Sequence, residues 1–279
     1  MGIEIGRLGL EDLAFVKGLT DGEEWNRGEM DWRRLLALEP NGFFKASYDG
    51  IDAGIIGSIR YDRVSWINSL IVAKEYRGRH IAAALMERCL DHSKRSGATT
   101  IKLDSVTGVE QFYERFGFRP EFRSLRFFGT VEEVGAAPSG IFAPSLDQVI
   151  SLDRREVGID RSRVLRALFE EPTARHFGCG EADGITGFLL TRQAQGRVDL
   201  GPCVVREGDL GTAEDLLRAA VAAITSPTFK LCVLGKNGGA IRLMEDLGFE
   251  SVGGTTRMFM GVPFDEPDSI ITMMSPEKG

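Results

Sequence analysis

An internal repeat with a period of 131 residues limits how this chain can fold more than any other feature. Residues 112–129 (FYERFGFRPEFRSLRFFG) and 243–261 (LMEDLGFESVGGTTRMFMG) each run from an amphipathic turn into Gly-Phe and reach an arginine eight residues beyond the Phe, Arg126 and Arg257. Both then close on an aromatic and a glycine. The same shift lays Ala82, Leu85 and Met86 onto Ala213, Leu216 and Leu217. Residues 101–105 (IKLDS) answer 229–233 (FKLCV), and the connection that follows is three residues longer in the second copy. A period this long describes duplication of a whole domain and not a solenoid of short units. At 279 residues there is chain enough for two domains, each with its own core.

Within the first copy, alternation of apolar and polar residues between turn signals predicts strands over 3–8, 43–48, 54–61, 65–72, 99–104 and 118–128. Helical spacing predicts helices over 10–19, 30–38 and 109–116, and another beginning at Ile81. Asp49-Gly50 and Asp62-Arg63 make the middle strands an antiparallel meander, and the later strand–helix–strand alternation adds parallel pairing. The second copy reads as helices over 146–157 and 161–170, strands over 175–179, 185–192 and 197–205, then helix, strand, helix and strands. The expected fold class is α/β (α+β): two domains in tandem, each a mixed, mostly antiparallel sheet flanked by helices. The boundaries expected are 1–130 and 141–279, joined by a linker at 131–140 that is rich in Pro, Gly and small residues.

Composition removes several function classes. A net charge of −7, from 41 acidic against 34 basic residues, argues against a nucleic-acid binder, which needs a basic face. No apolar run approaches the roughly 18 residues needed to span a bilayer. The opening MGIEIGRLGLEDL lacks the basic start and apolar core of a signal peptide, and Gly6 stands where a myristoylation motif wants Ser or Thr. The chain is therefore expected in the cytoplasm, with no membrane partner. Cys89, Cys179, Cys203 and Cys232 form no C-x-x-C pair and no zinc spacing. They read as buried structural thiols in a reducing compartment, and no metal is expected.

Chemistry concentrates in residues 65–90, SWINSLIVAKEYRGRHIAAALMERCL. A β-branched and aromatic strand leads into Arg77-Gly78-Arg79-His80, and a helix with small residues at its start follows. A strand, a basic turn holding a glycine and a helix N-terminus together make an anion site, because free backbone N–H groups and the positive end of the helix dipole converge there. The corresponding turn of the second copy, REGDLGTAEDLL (206–217), carries acids instead, and Asp209 would repel a phosphate. Counting back from Gly-Phe, Tyr113 corresponds to Met244. One copy keeps a cationic turn and a phenol; the other has neither.

With those residues in view, 2–128 resembles the GNAT superfamily of acyl-CoA-dependent N-acetyltransferases. The pyrophosphate loop of that family reads Arg/Gln-x-x-Gly-x-Gly/Ala, and the six positions here are Arg77, Gly78, Arg79, His80, Ile81 and Ala82, with His80 in place of the glycine. FYERFGF resembles the second family signature, a tyrosine in a helix just before Gly-Phe. The second half, through LGPCVV (200–205) and RMFMG (257–261), resembles the degenerate GNAT domain that trails some tandem bacterial and archaeal acetyltransferases.

The resemblance implies acetyl-CoA as co-substrate, with its pyrophosphate on the backbone N–H groups of the turn through Ala83. Arg77 or Arg79 would add charge, and the imidazole of His80 would either donate to a phosphate or crowd the backbone. It implies a strand that splays at Leu70, Ile71 and Val72 to take pantetheine and the thioester oxygen. Tyr113 would be the acid for the leaving sulfur, and Trp25 and Asn26 would stand on the acceptor side. The general base stays open among Asp104, Glu110 and a water. The function expected is transfer of an acetyl group to the amine of a small metabolite by direct attack in a ternary complex, in a monomer or homodimer. A non-catalytic acyl-CoA sensor or interaction module and a protein N-acetyltransferase are the alternatives.

His92 is expected to face solvent, and His176 has no evident partner. Asp153 with Asp160-Arg161 is expected to play a structural part.

Overall fold

The computed structural model describes residues 2–23, 25, 28–130, 138–181, 184–194, 196–226, 228–275 and 279. It resolves into two compact units, Met1–Leu103 and Asp104–Gly279. Most of the expected linker, 131–137, lies outside the described residues.

In the first unit the elements are β1 (Ile3–Arg7), a 3-10 turn, α1 (Leu13–Gly22), α2 (Glu29–Leu38), β2 (Phe43–Tyr48), β3 (Ile51–Tyr61), β4 (Val64–Val72), a second 3-10 turn (Lys74–Tyr76), α3 (Ile81–Arg95) and β5 (Thr100–Ser105). The division between the units falls inside β5. Strands pair in the order β1-β2-β3-β4-β5, antiparallel except for β4 with β5. The β2–β3 hairpin turns on Asp49 (φ 51°) and Gly50 (φ 81°), the left-handed pair that a two-residue turn needs to match strand twist. Helix α3 buries Ile81, Leu85, Met86, Cys89 and Leu90, an apolar stripe at helical spacing. It lies so close to the sheet that a Cβ on Gly54 of β3 would stand 2.8 Å from the Ile71 carbonyl and 3.3 Å from Leu85. Trp32 is fully buried with Leu35 and Leu36, its ring edge-on to Phe43 at 6.2 Å, so it belongs to the core.

The second unit contains α4 (Glu110–Glu114), β6 (Arg119–Gly129), β7 (Ile141–Phe142), α5 (Leu146–Val157), α6 (Ser162–Phe169), β8 (His176–Glu181), β9 (Gly184–Ala194), β10 (Arg197–Val205), α7 (Leu210–Ala223), β11 (Phe229–Leu234), α8 (Gly238–Asp246), β12 (Glu250–Gly261) and β13 (Ile270–Thr272). Its strands run in the order β12-β6-β11-β10-β9-β8-β7, with β13 added on β10. Among the described residues of this unit only the β10–β11 pairing is parallel. Leu216 and Leu217 of α7 and Leu243 and Met244 of α8 share a core with Phe127, Leu231 and Val233 from the sheet.

The placement of β6 explains why the compact units divide at 103/104 while the repeat divides near 130. As the last strand of the first copy, β6 lies between β11 and β12 of the second copy. Its ladder with β12 runs Arg123↔Thr256, Ser124↔Thr255, Leu125↔Gly254. Ser124 and Thr255 are equivalent positions of the repeat, so the ladder is symmetric about that pair. The duplicated strands meet on a local pseudo-twofold axis, as two copies of one chain would in a dimer.

Candidate active site

Strand β4 ends in an opening of the ladder. It pairs with β5 at Val64↔Thr100, Ser65↔Ile101 and Trp66↔Lys102, and the pairing stops there. Beyond this point β4 stays bonded to β3 on its other side, where a bulge sets Asn68 opposite Gly57 and Ile71 opposite Ile55. Ser69 takes up the extra residue with φ 59°, its hydroxyl donating to Asn68 Oδ1 at 2.7 Å. Among the described residues no pairing of β4 with β5 follows Trp66, and of Leu70, Ile71 and Val72, where a splay was expected, Ile71 and Val72 are buried.

The turn that follows is built from left-handed residues. Gly78 has φ 79°, with nothing within 4 Å of where a Cβ would stand. His80 (φ 61°) is the N-cap of α3 without a side-chain cap hydrogen bond. Ala84 N is the first backbone donor to return into the helix, to His80 O at 3.1 Å. The donors of the first turn, Ile81 to Ala83, precede it and are the ones that a helix leaves without an internal acceptor. Arg77, Arg79 and His80 are exposed around them. Open space at Gly78, an uncapped helix start and two exposed guanidinium groups fit a diphosphate.

Three residues that sequence reasoning passed over hold this turn. Arg77 donates from Nε to Val72 O at 3.0 Å and from Nη2 to Glu23 at 2.5 Å. The guanidinium of Arg79 lies 4.9 Å from the Tyr48 ring centre and 5.5 Å from that of Tyr76. No local signal marks Glu23 or Tyr48, which come from other segments, whereas Tyr76 stands three residues before Arg79 in the same stretch. The Arg77–Glu23 pair is half exposed on the arginine side, and such pairs contribute about 0–1 kcal/mol, so a phosphate can displace the carboxylate.

The equivalent places in the second copy are closed by the chain itself. At the start of α7 the Asp209 carboxylate accepts from Thr212 N at 3.0 Å and from the Thr212 hydroxyl at 2.7 Å, filling the helix N-terminus. The β10–β11 ladder also stops after two pairs, Val198↔Phe229 and Asp199↔Lys230. There β13 lies along β10, with Thr272 opposite Cys203, while Met273 N donates to Cys232 O of β11 at 2.9 Å. The C-terminal strand thus bridges the gap that β4 leaves open in the first copy.

Tyr113 sits on α4, half-buried among aromatic rings, with Phe112 at 5.2 Å and Phe118 at 6.2 Å between centroids. Desolvation pushes its phenol up to about 12, so it is protonated throughout the neutral range.

Asp104 requires a correction as a candidate base. Its side chain is 2% exposed; Oδ1 accepts from Thr255 Oγ1 at 3.0 Å, and Oδ2 accepts from Arg257 Nε at 3.2 Å and Nη2 at 2.7 Å. A carboxylate enclosed in this way cannot reach an incoming amine. Glu110 accepts from Gly108 N and from Thr256 Oγ1, both at 2.7 Å, and these donors, with its own backbone, hold it below the usual carboxylate range. Trp25 is exposed on the connection between α1 and α2; Asn26 lies outside the described residues.

The remaining expectations divide. His92 is not free in solvent: it is half-buried with its ring 5.5 Å from Phe44, and desolvation lowers its pKa. His176 stacks on Phe169 at 3.7 Å. Arg161 and Asp153 form a buried two-bond pair at 3.1 and 2.5 Å, and Asp160 accepts from Arg154 and from Ser162 N, a structural arrangement as expected. Cys89, Cys203 and Cys232 are buried, and desolvation raises the pKa of Cys89 and of Cys203, which keeps these two as unreactive thiols. No helix among the described residues is long and apolar enough to cross a membrane.

Models of the acetyltransferase (GNAT) domain match twice, over residues 23–129 and 149–271. An uncharacterised N-acetyltransferase of Methanocaldococcus jannaschii is 29% identical over 117 residues, covering 38% of this chain and 50% of that protein. N-alpha-acetyltransferase 30 of Schizosaccharomyces pombe is 39% identical over 66 residues, covering 23% of this chain and 44% of that protein. The chain thus spans half or less of the curated relatives it matches.

Among solved structures, a Pyrococcus horikoshii protein assigned to the acetyltransferases superposes with a TM-score of 0.84 at 23% identity, covering 100% of this chain and 96% of that one. A tandem GNAT protein from the clavulanic acid biosynthesis pathway superposes with a TM-score of 0.67 at 15% identity, covering 95% of this chain and all of that one. These likenesses show a shared fold. With models of the acetyltransferase (GNAT) domain matching both copies of the repeat, the chain belongs to the GNAT acetyltransferases as a tandem member.

Proposed function

We propose that the chain is a cytoplasmic N-acetyltransferase that moves an acetyl group from acetyl-CoA to the amine of a small metabolite by direct attack in a ternary complex. One acetyl-CoA binds per chain, on the first copy, and residues 1–130 and 141–279 are the two duplicated domains. The contrast between two equivalent helix starts carries this reading: α3 is uncapped beside Arg77, Gly78 and Arg79, whereas α7 is capped by its own Asp209. Residues 77–83 would hold the diphosphate. The open edge of β4 at Leu70, Ile71 and Val72 would take the pantetheine arm and present an N–H to the carbonyl oxygen, where it stabilises developing negative charge.

The thioester supplies an activated acyl carbon. As the amine nitrogen bonds to it and the C–S bond breaks, Tyr113 hydrogen-bonds to the departing sulfur. With its pKa near 12 against about 8.5 for a thiol, full proton transfer from this phenol would be uphill by roughly 5 kcal/mol. Tyr113 therefore acts mainly as a donor that steadies the thiolate, and the proton released by the amine completes the free thiol. Water carries that proton, since both oxygens of Asp104 are engaged. Exposed Trp25, with Asn26, stands on the acceptor side of this reading.

Calorimetric titration with acetyl-CoA and CoA tests it, wild type beside Arg77→Ala with Gly78→Asp. The expected result is micromolar binding at one site per chain, lost in the double variant. Absence of wild-type binding into the millimolar range overturns it. A second reading, a protein N-acetyltransferase, draws on the name of the yeast relative. Turnover of N-terminal peptides in preference to small amines would select it.

A further inference from the structure

The tandem architecture leaves open what the second copy does for the reaction. One strand of it, β12, grips the segment leading into Tyr113 with three consecutive residues. Thr255 and Arg257 hold the two oxygens of Asp104, at the end of β5. Between them in sequence, Thr256 donates to Glu110, the first residue of the helix that carries Tyr113, at 2.7 Å. Glu266, 4% exposed, accepts from Arg257 Nη1 at 2.6 Å and anchors the guanidinium from its far side. Both ends of the connection from β5 to α4 are thus tied to β12.

The repeat supplies an internal control. By its symmetry the same contacts should recur between β6 and the connection leading to α8, and they do not. Ser124, equivalent to Thr255, has a buried hydroxyl without a hydrogen-bond partner among the described residues. Leu125 replaces Thr256, and Ile241 replaces Glu110. Arg126, equivalent to Arg257, stands opposite Cys232, the residue that replaces Asp104, and its buried Nε has no partner among the described residues. Among the described residues, the ties made by Thr255, Thr256 and Arg257 on the side that carries Tyr113 have no counterpart from Ser124 Oγ, Leu125 or Arg126 Nε on the side that carries Met244.

We propose that Thr256, with Thr255 and Arg257, is a positioning residue contributed by the second copy, which fixes the aim of the Tyr113 phenol. This rests on the role given to Tyr113 above. A hydrogen bond at one end of a five-residue helix sets where its fourth residue points, and displacement of a reacting group by about 1 Å can cost up to a hundredfold in rate.

The test is a kinetic cycle on the full chain: Thr256→Val, Thr256→Ser, Tyr113→Phe and the double variant Thr256→Val/Tyr113→Phe, with acetyl-CoA and an accepted amine. Expected are a fall in kcat of about tenfold in Thr256→Val with KM for acetyl-CoA unchanged, and recovery to within about twofold in Thr256→Ser. The double variant should be no slower than Tyr113→Phe alone. Unchanged kcat in Thr256→Val overturns the positioning role. So does an equal further loss in the Tyr113→Phe background, which would show action by another route. If Tyr113→Phe itself has no effect, the role of Tyr113 as donor to the departing sulfur fails, and the positioning role falls with it.

Discussion

Replacing Arg257 with methionine probes the most demanding electrostatic arrangement in the second unit. Burial works against the charge of this guanidinium, and two carboxylates outweigh that penalty and raise its pKa above the ordinary value. Its contacts are 2.7 Å to Asp104 and 2.6 Å to Glu266, and all three side chains are no more than 5% exposed. Arg257→Met keeps comparable volume but leaves two acids in the interior with their cation removed. Loss of one partner from a buried pair costs about 3–5 kcal/mol. Two carboxylates lose a partner here, so a value near the upper end, about 5 kcal/mol, is expected. For a unit of this size that corresponds to a fall in Tm of roughly 10–20 °C. Urea unfolding followed by far-UV circular dichroism measures it, with Asp104→Leu/Arg257→Met/Glu266→Leu as the companion variant. Replacing the whole cluster with apolar groups removes the stranded charges, so the triple variant should recover most of the loss. A single-variant loss below about 1 kcal/mol, or a triple variant no more stable than the single one, would refute the argument that stranded charge sets the cost.

Other expectations follow from particular residues. His80→Gly removes a side chain from the left-handed region, relieving about 1–2 kcal/mol of strain against about 0.5–1 kcal/mol of added chain entropy; calorimetry should show unchanged or tighter acetyl-CoA binding and a Tm within a few degrees of wild type. Asp209→Ala removes the cap of α7 and should cost about 0.5–2 kcal/mol in urea unfolding, while acetyl-CoA affinity stays as in wild type. His92 and His176 both have pKa values lowered by desolvation. The unfolded chain therefore binds more protons below about pH 6.5, so stability should fall as pH drops through and below that value. Thermal melts between pH 5 and 8 should show this slope, and it should flatten in His92→Gln/His176→Gln.

Local order was legible where short-range pattern decides it. The strands at Phe43–Tyr48 and Arg197–Val205 and the helix at Leu146–Val157 stand where alternation and helical spacing place them. The left-handed turn at Asp49-Gly50 likewise follows from residue type. Where the helix before Gly-Phe was expected over 109–116, only Glu110–Glu114 is helical. The final strands were expected without bounds, and β13 could not be delimited because three residues are too few to show a period.

The basic turn and its acidic counterpart could be compared in sequence because the repeat aligns them, and the resemblance to a family rested on the same residues. Tertiary structure alone decided which strand pairs with which. β6 is the last strand of the first copy in sequence, yet its hydrogen bonds go to β11 and β12 of the second, since strand pairing satisfies backbone groups without reference to chain order. The same rule governs Asp104. As a sequence position it was a plausible base at a strand end. Folding places Arg257, 153 residues away, against its carboxylate, and no local pattern records a contact at that separation. Sequence by itself determined the duplicated unit, its elements and the basic turn before α3, because those depend on neighbours along the chain. The partners of buried charges, the closed second slot and the grip on the tyrosine helix depend on neighbours in space, and only the folded chain brings those together.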